Sequence, residues 1–165
     1  MPSKTIDLTA ENLKRFGITS LTDSDANLAI ALGGMYYGIK PLEMAAAYAT
    51  FAHVGIYSKP YMIKTVKDAA GQVLYQHTPE QRQVIKPRTA QVMTQILLEV
   101  VRGGTGTGAN ISGNEAGKTG TTDDSGCLWF VGYNKKLSTT VWVGNNNNRP
   151  TYGYMGGRVG SSHLA

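Results

Sequence analysis

Lys118-Thr119-Gly120-Thr121-Thr122, within Glu115–Asp124, holds the residues of this chain whose types and spacing can do chemistry. A five-residue run of this kind arises by chance in on the order of one chain in ten thousand. The Lys118 ammonium supplies a positive potential for an anionic ligand end. Side chains of an extended strand alternate with period two, so Thr119 and Thr121 share one face and Lys118 points to the other. Two hydroxyls can then grip a carboxylate directly, with the lysine acting from the far side across an interior pocket. Gly120 removes a side chain and lets a ligand backbone approach closely. On an edge strand, the outward amides would accept an extended peptide as an added strand.

The elements that must position these residues read as follows. The site strand, about Glu115 to Thr122, opens a run of three, followed by Cys127–Asn134 and Leu137–Gly144. The short connections predict an antiparallel meander. Before it, Pro87 opens a helix that ends at Arg102, with Met93, Ile96, Leu97, Val100 and Val101 as its core stripe. A second helix spans Leu42–His53 after Pro41, with Leu42, Ala45, Ala46, Ala49 and Ala52 along one face and Gly55 as its stop. Ile6–Phe16 reads as a short helix stopped by Gly17. Asp23–Asn27 reads as a polar loop and Leu28–Gly34 as an apolar segment. Tyr61–Asp68 and Gln72–Gln76 form a hairpin about Ala69-Ala-Gly71. Asn145–Asn148 is a loop, and Arg158–Ala165 begins another helix.

Other arrangements carry less. Gly103-Gly-Thr-Gly-Thr-Gly108 follows a helix and leads into a strand, the reverse of a phosphate-binding loop, and reads as a flexible connector. Ser112-Gly-Asn114 spells Ser-x-Asn directly before the site strand, although a groove needs its two walls on separate elements. No Ser-x-x-Lys occurs in the chain. His53, His77 and His163 lack metal-ligand spacing, and nothing calls for a cofactor. Asp123-Asp124 reads as a solvated turn. Cys127, the one cysteine, permits no intrachain disulfide and reads as a small buried hydrophobe.

Composition narrows the class further. A length of 165 residues with 41% hydrophobic content fits one domain or a piece of a larger one. The net charge is +5, but Lys14-Arg15 and Lys135-Lys136 are the only adjacent basic pairs, which argues against nucleic acid as partner. Such basicity suits an anionic cell wall or a carboxylate-ended substrate. No apolar run approaches the roughly 18 residues of a membrane span, and no signal peptide is visible.

Lys-Thr-Gly is one of three motifs of penicillin-binding proteins and serine β-lactamases, beside Ser-x-x-Lys and Ser-Asp-Asn. Further blocks extend the likeness: Ala31-Leu-Gly-Gly34, Tyr37–Ala52 with Gly-Ile-Lys-Pro-Leu-Glu-Met-Ala, Gly104–Gly108, Ala116–Thr122, Trp129–Tyr133 and Val141–Gly144. In that order the chain resembles the C-terminal half of the transpeptidase domain of a class A (bifunctional) penicillin-binding protein, over nearly its whole length. A β-lactamase or carboxypeptidase resembles the Gly38–Ala52 and Gly104–Gly108 blocks less well.

The resemblance implies an α/β (α+β type) domain with a five-stranded antiparallel sheet flanked by helices, of which residues 1–165 are an incomplete C-terminal portion. It implies a peptidoglycan stem peptide ending in D-Ala-D-Ala as substrate and β-lactams as ligands. Lys118 would serve electrostatics and proton relay, and Thr119 and Thr121 would hold the terminal carboxylate. The Thr121 amide would be one oxyanion donor, and Gly120 and Thr122 would complete the binding strand. The family's serine and Ser-x-Asn motifs precede the matched region, so the chain carries one wall of an active site, with the upstream half of the protein as its partner. The parent would be anchored in the cytoplasmic membrane with this domain on the cell-wall side. The isolated chain is expected to be inactive and to leave apolar surface uncovered, including one side of the Leu137–Gly144 strand. Two other classes stay open: a non-catalytic carboxylate- or peptide-binding module, and one half of a complementing two-chain transpeptidase.

Overall fold

The computed structural model describes residues 4–122, 126–145 and 149–150. Among them are helices α1 (Lys4–Arg15), α2 (Pro41–Ala52) and α3 (Pro87–Arg102). The strands are β1 (Ile56–Ser58), β2 (Thr65–Lys67), β3 (Val73–Gln76), β4 (Gln81–Gln83), β5 (Ala116–Thr121), β6 (Cys127–Tyr133) and β7 (Ser138–Gly144). The expected turn at Asp123-Asp124, the helix from Arg158, His163 and most of the Asn145–Asn148 loop lie outside the described residues.

Pro41 and Pro87 open α2 and α3 as anticipated, each after a lysine in extended backbone. The hairpin about residues 69–71 is β2–β3, closed by Gly71 at φ +84. The meander is present in the order β5-β6-β7, with Ala116 opposite Tyr133, Thr121 opposite Leu128 and Tyr133 opposite Ser138. Outside it, β1 pairs antiparallel with β4, a long-range link that the sequence reading did not contain. Three strands of the expected five-stranded sheet thus lie within the described residues, and β7 pairs with none of them on its outer side.

Two apolar clusters hold the meander from opposite faces. On one, Ala116 of β5 and Tyr133 of β6 pack with Leu97 and Leu98 of α3 and with Tyr48, Phe51 and Ala52 of α2. On the other, Phe130 of β6 packs with Val101 at the end of α3 and with Ala109 in a 3₁₀ turn, Thr107–Ala109. Phe130, Leu128 and Val101 are among the largest fully buried side chains. The Ser138 hydroxyl donates to Ala45 O at 2.8 Å and fastens β7 to α2.

The buried helix faces differ from those expected. In α2 the buried residues are Ala46, Ala47 and Thr50, whereas Leu42 is 56% exposed. The helix is enclosed from two directions, by Tyr57 and Val84 beside Ala46 and by the sheet beside Phe51 and Ala52, which turns its buried arc away from Leu42. Thr50 is tolerated there because its hydroxyl donates to Ala46 O within the helix. In α3, Ala90, Leu97 and Val101 are buried, but Ile96 is 54% exposed. This helix lies along β5, at the margin of the sheet, and a margin covers a narrower stripe than an open sheet would.

The polar loop Asp23–Asn27 contains a 3₁₀ turn, Asp23–Asp25. Asp25 is 3% exposed and accepts bonds from the Tyr36 amide and from the Thr22 amide and hydroxyl, which lower its pKa. Cys127 is half-buried rather than buried.

Candidate active site

β5 is bonded to β6 alone among the described strands, so the Lys-Thr-Gly segment lies at a sheet margin. The Thr122 amide donates to Cys127 O at 3.1 Å. Alternation along an antiparallel ladder then turns the Lys118 and Gly120 amides toward β6 and the Thr119 and Thr121 amides away from it. Register puts Thr119 opposite Phe130 and Thr121 opposite Leu128, so both hydroxyls rise from one face. Lys118 and Gly120 belong to the other face, opposite Val131 and Trp129.

Lys118 is exposed, and its Nζ donates to the carbonyl oxygen of Thr119 at 2.7 Å. Its ammonium therefore stands at the surface of the described residues and not across an interior pocket. The Thr119 hydroxyl lies 2.8 Å from the hydroxyl of Thr105. Thr122 follows the strand, and its Oγ1 accepts the Cys127 amide at 3.0 Å, which ties the end of β5 to the start of β6. An alanine Cβ at Gly120 would meet only Trp129 Cβ, at 3.2 Å, among non-neighbouring atoms closer than 3.9 Å.

The Gly103–Gly108 segment, expected as a connector, has a defined path back along the end of α3. The Gly104 and Gly106 amides both donate to Val100 O, at 3.1 and 3.0 Å, folding the segment back on the end of α3. A side chain at Gly104 would bring its Cβ to 2.9 Å from Val100 Cα and O. The fold thus brings Thr105 to the site strand, a residue that the sequence reading passed over. The glycine spacing was the available signal, since alternate glycines permit a tight return onto a helix end. Ser112 serves the approach to β5: its amide and hydroxyl donate to Glu115, at 3.1 and 2.6 Å. The Ser112 hydroxyl, helped by backbone amides, holds the Glu115 pKa down to about 2 against the opposing effect of burial.

The model of the penicillin-binding protein transpeptidase domain matches residues 8–163. This chain belongs to that family. It is 39% identical over 145 residues to penicillin-binding protein 1F of Bacillus subtilis, which covers 84% of this chain and 20% of that protein. Penicillin-binding protein 1A of Aquifex aeolicus is 36% identical over 152 residues, covering 92% of this chain and 20% of the relative. Among solved structures, penicillin-binding protein 1A of Haemophilus influenzae superposes with a TM-score of 0.78 at 28% identity, covering 93% of this chain and 29% of that one. The PonA1 protein of Mycobacterium tuberculosis, solved with penicillin V, gives a TM-score of 0.74 at 31% identity, over 85% of this chain and 41% of that one. The mixed fold of helices and antiparallel sheets is thus part of a penicillin-binding transpeptidase fold. The chain spans about a fifth of the length of these curated relatives. No helix among its described residues is long and apolar enough to cross a membrane.

Proposed function

We propose that β5 is the carboxylate-binding wall of a peptidoglycan D,D-transpeptidase, and that residues 1–165 are the C-terminal portion of its transpeptidase domain. The nucleophilic serine comes from another segment. It attacks the carbonyl of the D-Ala-D-Ala bond, the C–N bond breaks, and the terminal D-Ala leaves as its protonated amine. The amine of a second stem then attacks the acyl-serine ester, forms the cross-linking amide and returns the serine. β-Lactams acylate the same serine by ring opening. The parent protein acts on the outer face of the cytoplasmic membrane.

The roles are those the family resemblance implies, and the chemistry of each group suits them. Thr119 and Thr121 donate their hydroxyls to the terminal carboxylate, and Thr122 closes the strand beside them. Gly120 leaves room for the peptide. The Thr121 amide, turned away from β6, donates to the oxyanion as the tetrahedral centre forms, and such a donor typically contributes ~3 kcal/mol of barrier lowering. Lys118 carries a flexible stem with rotatable donors. It leaves the Thr119 carbonyl to supply positive potential and to relay the proton moved between serine and leaving amine.

What supports this reading most is the coincidence, on one margin strand, of two same-face hydroxyls and two outward amides within a family-matched Lys-Thr-Gly segment. A second reading, a non-catalytic carboxylate-binding module, makes the opposite prediction for covalent modification. Mass spectrometry after exposure to penicillin separates the two. The full-length protein encoded by the reading frame that contains this segment should gain one covalent penicillin, and recover the gain if supplied as two co-expressed halves. An unmodified mass with an intact reading frame would refute the transpeptidase.

A further inference from the structure

We propose that Thr105 is a positioning residue that orients the hydroxyl of Thr119 toward a ligand carboxylate; the inference rests on the carboxylate-binding role proposed for Thr119. The two oxygens are 2.8 Å apart, across a separation of 14 residues. A threonine hydroxyl has one proton to donate and two lone pairs to accept with, whereas a carboxylate only accepts. If Thr119 donates to the carboxylate, it must accept from Thr105. The chain then runs in one sense, Thr105 O–H to Thr119 Oγ1, and Thr119 O–H to the carboxylate. Each bond in such a chain polarises the next. Without Thr105, the Thr119 hydroxyl loses the partner that holds its rotor in this direction.

The surroundings of Thr105 suit a fixed donor. Its two glycine neighbours are each bonded to the same carbonyl, Val100 O. On the far side, a Cβ at Gly106 would stand 3.3 Å from Phe130 Cε2, and the next turn is anchored by Ala109, buried against Phe130. Phe130 is the residue opposite Thr119 in the ladder, so one side chain braces both the loop and the strand. Thr105 itself is exposed. The glycine-rich segment therefore presents the Thr105 hydroxyl to the site strand from a hydrogen-bonded return at the end of α3.

The test compares two probes on the full-length protein: a penicillin with its free carboxylate, and the methyl ester of the same penicillin. Thr105→Val should lower the second-order acylation rate with the free acid by roughly three- to tenfold, the range one neutral hydrogen bond supports. It should leave the ester rate within about twofold. Thr105→Ser should restore the free-acid rate, and Thr105→Ala should repeat the valine pattern. An equal loss with both probes, or no loss with either, would overturn the positioning role while leaving the transpeptidase reading intact. Failure of the unsubstituted protein to acylate with either probe would overturn the transpeptidase reading and this inference with it.

Discussion

Gly117 and Gly120 lie three residues apart on β5, and alanine at the two positions should have opposite consequences. At Gly117 an added Cβ would stand 2.8 Å from Phe130 Cζ, 2.9 Å from Val131 O and 3.2 Å from Val101 Cγ2. Phe130 and Val101 are at most 1% exposed, and Val131 O belongs to the paired strand, so none of the three can withdraw freely. Overpacking of this kind costs about 1–3 kcal/mol, and three crowded contacts put Gly117→Ala near the top of that range. The lower chain entropy of alanine in the unfolded state returns roughly 0.5–1 kcal/mol. The net loss is about 2 kcal/mol, or roughly 4–8 °C in Tm for a domain of 150–250 residues. At Gly120 the Cβ meets Trp129 Cβ at 3.2 Å, and nothing else until 3.9 Å. A shift of a few tenths of an ångström there costs under about 1 kcal/mol, which the entropy gain offsets. Gly120→Ala should therefore leave Tm within about 2 °C and instead slow penicillin acylation of the full-length protein, because the Cβ would intrude where the proposed peptide ligand approaches. Differential scanning fluorimetry and acylation kinetics on both variants read the two effects separately. A stable Gly117→Ala would refute the packing of α3 and β6 on this strand. A Gly120→Ala variant that acylates normally would refute close backbone approach at that position.

Other consequences can be read in the same way. Gly55 is at φ +88, and a Cβ there would run into Ile85 O. Gly55→Ala should cost at least about 3 kcal/mol, from the left-handed backbone and this clash together, measured as a lower urea midpoint. Glu115 has a folded pKa of about 2 against an ordinary 4.5. Its contribution to stability is fully present above about pH 4.5 and is lost as pH falls through about 2, so Glu115→Gln should flatten the fall of the urea midpoint between those values. Arg82 donates to Arg15 O from Nε at 3.2 Å and from Nη2 at 2.9 Å, and lies 4.4 Å from the Tyr57 ring centroid. Arg82→Met should cost about 1 kcal/mol and accelerate amide exchange in the last turn of α1, while α3 is unaffected.

What was legible in the sequence was whatever depends on neighbours along the chain. Pro41 and Pro87 mark helix starts because the proline ring sets its own backbone angle. The pairing of β2 with β3 and the meander were readable because short connections leave few alternatives. The same-face relation of Thr119 and Thr121 follows from strand alternation. What was not legible depends on where an element lies relative to others. Leu42 and Ile96 fit the helical period but face outward, because α2 is enclosed from two directions and α3 follows a margin. The β1–β4 link joins segments about 25 residues apart, with no local signal of partner. Thr105 escaped notice for the same reason: its meaning lies in the return of its loop onto Val100 and Phe130, which glycine spacing permits but does not dictate.

Lys118 shows how this division bears on chemistry. Its identity and strand position were plain from the sequence, but its surroundings were not, and an ammonium depends on surroundings more than any other group here. Exposed as it is, with its Nζ on the Thr119 carbonyl, it acts through a medium close to water. A unit charge 4 Å away then feels about 1 kcal/mol, against about 4 kcal/mol at the effective dielectric of a partly enclosed protein site. The hydroxyls of Thr119 and Thr121 are arranged by β5, β6 and the Gly103–Gly108 return, all within this chain. The strength of Lys118 is not set by those elements, since it requires an opposing surface that excludes water. In the proposed transpeptidase, carboxylate recognition is therefore built from β5 and the elements of this chain that brace it, whereas the electrostatic part of catalysis arises only when the serine-bearing wall lies against it.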